Sequence, residues 1–74
     1  MNQLTMFEPS GSELAKLASI SFELADRNLR KCELMTMRGL HSISNIFMQA
    51  MADHLQNAFT FEMAAQFEVE AGLL

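Results

Sequence analysis

From residue 12 to about residue 38, small and apolar side chains recur at alternating intervals of three and four. Positions spaced in this way share one face of an α-helix, so the pattern predicts a first amphipathic helix. Ser10 and Glu13 have the S-x-x-E spacing of a capping box, which favours a helix start at this point. The predicted face consists of Ala15, Ala18, Phe22, Ala25, Leu29, Cys32 and Thr36. Its alanines favour close approach of a neighbouring helix.

A second helix is predicted from residue 43 to about residue 71, with Gly72 as its stop, and its apolar arc is wide. One side of this helix carries Ile43, Phe47, Ala50, Met51, Leu55, Ala58, Phe61, Ala65 and Val69. Met48, Ala52 and Phe59 extend that side, and Met63 and Phe67 lie beyond it among polar residues. Because one neighbouring helix covers a single stripe, part of this arc stays uncovered in a lone hairpin.

The segment between the two helices is very short. Gly39 follows the last base of the first helix, where glycine is the expected left-handed stop, and Ser42 is positioned to cap the second helix. A linker of about three residues joins antiparallel neighbouring helices. The alternative is one continuous helix through Gly39, because a single glycine costs a helix only about 1 kcal/mol.

Length and composition agree with a small helical protein. The 74 residues allow one domain, and three Ile with one Val are too few β-branched residues to favour a sheet. Residues 1–9 end at Pro9, which disfavours helix at the preceding residue, so they are predicted to form a flexible or extended arm. The fold class is therefore all-α, with an arm (1–9) and an antiparallel two-helix hairpin (10–74).

The surplus apolar circumference predicts association. Two hairpins forming a homodimeric four-helix bundle would bury a further stripe of each helix pair. The alternative is a hairpin whose core is completed by a different protein. The residues expected in the core or the dimer contact are Ala18, Phe22, Leu29, Phe47, Met51 and Phe61.

Two groups of residues are expected to bind a partner. Phe59, Met63 and Phe67 follow one another at intervals of four and form an outward apolar patch, which could equally be a dimer contact. Arg27, Arg30 and Lys31 form a basic cluster that is either a solvated face or a docking site for an acidic protein.

The sequence lacks the residue patterns of catalysis and metal binding. Cys32 is the single cysteine, and neither His41 nor His54 has a second ligand at a metal-binding interval. The three glycines are isolated, so no phosphate-binding loop is present. We therefore expect neither an enzyme nor a cofactor or metal, with Cys32 and His54 in structural roles.

The net charge of −4 argues against a nucleic-acid partner, because such binding depends mainly on positive charge. All five bases precede residue 39, but four carboxylates interleave with them. The chain has no signal-peptide pattern and no uncharged stretch long enough to cross a bilayer. A cytoplasmic protein without membrane contact is expected.

These observations predict a small non-enzymatic protein–protein interaction module. The first hypothesis is a dimeric helical regulator or inhibitor that binds a larger protein. The alternative is a co-chaperone or assembly subunit, whose hairpin completes its core with a secreted or structural partner.

Overall fold

The structure, a computed structural model, describes the backbone of residues 10–73 and the side chains of residues 13–73. This part of the chain forms two α-helices, α1 (Ser10–Met37) and α2 (His41–Glu70), which pack against each other as a hairpin. Each helix begins two residues earlier and ends one residue earlier than the pattern predicts. The predicted arm, residues 1–9, and the Ser10 side chain of the predicted capping box lie outside the described residues.

The end of α1 is fixed by a glycine in the left-handed conformation. Gly39 has φ of +75°, its amide donates to the Thr36 carbonyl at 3.0 Å, and the Leu40 amide donates to the Met35 carbonyl at 2.9 Å. This pair of bonds is the Schellman arrangement that closes a helix. The continuous helix through Gly39 is therefore wrong.

The start of α2 differs from the prediction at Ser42. Leu40 occupies the N-cap position without a side-chain cap, and its carbonyl accepts the first helical bond from the Ser44 amide at 2.9 Å. Ser42 lies one residue inside α2, so its predicted capping role is wrong. The reason is that Leu40 serves both helices: its amide closes α1 and its carbonyl opens α2, so α2 begins directly after Leu40 and before Ser42.

The contact between the helices is built from small side chains. Ala18, Ser21, Ala25 and Cys32 of α1 and Ser44 and Ala58 of α2 are buried, and no large side chain among the described residues is fully buried. Small residues allow the helix axes to approach closely, and this pushes the larger neighbours outward on both sides. The centre of the contact accordingly passes through Ser21 rather than Leu29, which is 40% exposed.

The hairpin is a flat plate. Its helices are 28 and 30 residues long, so the plate is about 45 Å long, about 20 Å wide and one helix thick. Two helices side by side expose two broad faces, and these faces carry the candidate interaction surfaces.

Candidate interaction surfaces

Each broad face of the plate is marked by one contact between the helices. The rings of Phe22 and Phe59 meet edge to face at 5.4 Å between centroids, and Lys31 Nζ lies 5.6 Å from the centroid of the Phe47 ring. Phe22 and Lys31 are nine residues apart, which turns them about 180° from each other around α1. The two contacts therefore lie on opposite faces, named here the aromatic face (Phe22, Phe59) and the lysine face (Lys31, Phe47).

The predicted apolar patch forms an exposed ridge on α2. Phe59, Met63 and Phe67 are 51%, 73% and 65% exposed. Successive members are four residues apart, so they follow one another along the helix with a small rotation. This placement leaves all three side chains available to a second surface.

Beside this ridge lies an open depression of about 430 Å³, and α2 alone forms it. Its lining residues are Met51, Ala52, Leu55, Gln56, Phe59, Thr60 and Met63. The lining holds no charged group, and the Thr60 hydroxyl already donates to the Gln56 carbonyl at 3.0 Å. The depression therefore suits an apolar side chain, and Phe67 lies outside it.

The basic cluster is exposed, but its members point in different directions. Arg30 Nε pairs with Asp26 Oδ2 at 3.1 Å on the same helix, whereas Lys31 lies over Phe47 on the lysine face. Arg27 is exposed on the same helix. At 1.5 Å per residue, this cluster is roughly 20 Å along the hairpin from the Phe59–Phe67 ridge, so the structure does not join the two predicted surfaces into one site.

The residues expected in the core or dimer contact occupy different environments in the hairpin. Ala18 is buried, and Leu29 is exposed. Phe22, Phe47, Met51 and Phe61 are half-buried. A half-buried aromatic or methionine side chain retains apolar surface that a further helix could cover.

The hairpin contains one polar contact that the sequence pattern did not reveal. Ser44 Oγ lies 3.1 Å from Cys32 Sγ and 2.6 Å from Thr36 Oγ1, and it donates to the Cys32 carbonyl at 3.2 Å. These bonds join α2 to α1 beside the turn. The thiol is buried within them, which places Cys32 in a structural contact rather than at a reactive surface. Ser44 lies seven residues before Met51 and fourteen before Ala58. These intervals place the three residues on one face of α2, which was the signal in the sequence that Ser44 is buried.

No group of three His, Cys, Asp or Glu side chains within residues 13–73 is arranged to hold a metal ion. Neither α1 nor α2 combines the length and the hydropathy needed to span a bilayer.

Comparisons of the chain with protein-family models, with curated proteins and with solved structures find no match.

Proposed function

We propose that this chain is a non-enzymatic protein–protein interaction module that self-associates into a four-helix bundle and binds a larger protein as a regulator or inhibitor. One observation carries the proposal. Fourteen large apolar side chains of the described residues are at least 40% exposed, while none is fully buried. Because complete burial of a Leu, Met or Phe side chain contributes roughly 1.5–3 kcal/mol, association with a second apolar surface is strongly favoured.

The hairpin has two broad faces, so dimerisation and binding of a larger protein can use separate surfaces. A two-fold dimer uses the same surface on both copies, so a four-helix bundle buries one broad face of each hairpin. The other face remains outside: the aromatic face presents Phe59 and the depression, and the ridge continues from Phe59 to Phe67 at the outer edge of α2. An amphipathic helix of a larger protein binds such a groove with side chains at helical intervals. The methionines beside it adapt to the shape of the bound segment.

The small-residue contact supports a second candidate, a co-chaperone or assembly subunit. Ala18, Ala25 and Ala58 bury little apolar area, so α1 and α2 stabilise each other weakly. In this second case the hairpin is molten alone and gains its core from a secreted or structural protein.

Sedimentation equilibrium of the full chain, combined with thermal unfolding by circular dichroism, tests the proposal. A species of twice the 8.3 kDa chain mass that melts in one cooperative transition supports the dimeric module. An ordered species of single chain mass at high concentration would contradict it. A molten chain that becomes ordered only with a co-expressed protein would favour the assembly subunit instead.

A further inference from the structure

A second stripe runs along α1, separate from the buried contact with α2. Its positions follow intervals of four and three in strict alternation, which places them on one line of the helix. They are Glu13, Leu17, Ile20, Leu24, Arg27, Lys31, Leu34 and Arg38, the last directly after the helix end. Leu17, Ile20 and Leu34 are 43%, 51% and 41% exposed, and the Lys31–Phe47 contact places the stripe at the lysine face.

The stripe is complementary to itself when reversed. If two copies run antiparallel, residues whose numbers add up to 51 face each other. Glu13 then faces Arg38 and Leu17 faces Leu34. The remaining pairs are Ile20 with Lys31 and Leu24 with Arg27, in which the long aliphatic stem of the base covers the apolar neighbour. Each charged residue of the stripe therefore faces either an opposite charge or an apolar side chain that its aliphatic stem can cover.

We propose that a second copy of this chain docks on the lysine face with the two α1 helices antiparallel, turn against open end. This inference rests on the self-association proposed above, and it assigns the face and the orientation. The aromatic face of each hairpin then remains outside for the larger protein.

The area of the face is sufficient for a stable dimer. The helices are 28 and 30 residues long, about 45 Å, and side by side they are about 20 Å wide, so full overlap covers about 900 Å² of each copy. Stable interfaces bury roughly 800 Å² per partner, so nearly full overlap of the two faces reaches this size. A face of this size is therefore adequate without any contribution from other parts of the chain.

The charge distribution of the whole hairpin favours the same orientation. The half near the turn, residues 25–55, carries four bases and three carboxylates. The open half, residues 13–24 and 56–73, carries one base and five carboxylates. Antiparallel stacking sets each acidic half against a slightly basic one, whereas parallel stacking sets two acidic halves together. Exposed charges of this kind contribute little affinity but select orientation.

Intermolecular distances between spin labels test the orientation. In a Cys32→Ser background, in which serine retains a hydroxyl beside Ser44, one cysteine is introduced either at position 38 or at position 27. At 1.5 Å per residue, antiparallel docking separates the two labels at position 38 by about 40 Å. It brings the labels at position 27, near the two-fold axis, within about 20 Å.

Other combinations of the two distances contradict different parts of the inference. Short distances at both positions indicate parallel docking and overturn the orientation, although the proposed function survives. A distance of about 30 Å or more at position 27 indicates docking on the aromatic face and overturns the choice of face. Absence of intermolecular coupling in a chain that sediments as a monomer overturns the self-association itself.

Charge reversal tests the Glu13–Arg38 pair directly. The pair occurs twice in a two-fold dimer, so Glu13→Lys or Arg38→Glu alone is expected to weaken dimerisation about tenfold at low salt. The double variant is expected to return within about twofold of the original affinity. Glu33→Lys is the matched control, because residue 33 lies on the aromatic side of α1 and its reversal leaves dimerisation unchanged. A double variant as weak as the single variants would overturn the proposed pairing.

Discussion

The Cys32 sulfur and the Ser44 hydroxyl oxygen lie 3.1 Å apart across the two helices, in a space that excludes water from both side chains. Ser44 is 3% exposed and Cys32 is 5% exposed. The two residues are small enough to let α1 and α2 touch beside the turn, and their polar atoms are satisfied by each other and by the Cys32 carbonyl. This contact fixes where the two helices meet.

Replacing Ser44 with a large side chain should separate the helices near the turn. Ser44→Leu adds atoms where no space exists and removes the bonds to Thr36 and Cys32, so we expect a loss of about 1–3 kcal/mol in the free energy of unfolding. Urea denaturation followed by circular dichroism measures the change. Ser42→Leu is the matched control, since Ser42 is exposed on the same helix and should change stability little. Equal losses in both variants would mean that Ser44 is not at a packed contact.

Gly39 should be the most sensitive position of the turn. A Cβ at this site meets no atom within 4 Å, so the cost of Gly39→Ala arises from the left-handed φ of +75° and not from a clash. We expect a loss of about 1–2 kcal/mol in the free energy of unfolding. Gly72→Ala has the same strain at φ of +77°, but it lies after the last helix, where local fraying relieves the strain. A thermal melt in which Gly72→Ala is the more damaging change would contradict this account.

The buried thiol provides a probe of hairpin opening. Cys32 is enclosed by α1 and α2, so its reaction with a thiol reagent requires separation of the helices. We expect labelling of the native chain to be at least about tenfold slower than in denaturant, and Ser44→Leu to accelerate it. Equal rates in native and denatured chains would show that the Cys32–Ser44 contact is not maintained in solution.

The sequence predicted those features that depend on local chemistry. Gly39 at the end of the first helical pattern predicted the turn, with a continuous helix as the alternative, and spacing alone placed Phe59, Met63 and Phe67 on an outward ridge. The face of α1 that contacts α2 was harder to predict, because the apolar pattern favours the face that contains Leu29. Packing instead selected the line with the smallest side chains, and this gave Ser21 and Ser44 buried positions that hydropathy does not predict. The partner of the ridge cannot be predicted from helical periodicity, because residue spacing predicts which side chains are exposed and not the shape of the surface that binds them.

Two phenylalanines on α2 should separate folding from binding. Phe61 is half-buried and Phe67 is 65% exposed, although both belong to the same apolar helix. Phe61→Asp places an unpaired charge against the hairpin and should lower the helical signal and the melting temperature. Phe67→Asp leaves its charge in water and should preserve both quantities and the sedimenting mass.

The same pair then tests the role of the Phe59–Phe67 ridge. Once a larger protein that binds the original chain is in hand, Phe67→Asp should weaken that complex at least about tenfold, because a carboxylate would have to be desolvated in an apolar contact. Asn45→Asp is the control for added negative charge, because Asn45 is exposed on α2 away from the lysine face and about 20 Å along the helix from Phe59. Because dimerisation is proposed to use the lysine face, the dimer of Phe67→Asp should remain intact. A Phe67→Asp chain that sediments as a monomer would instead place the ridge in the dimer contact and leave the lysine face for the larger protein.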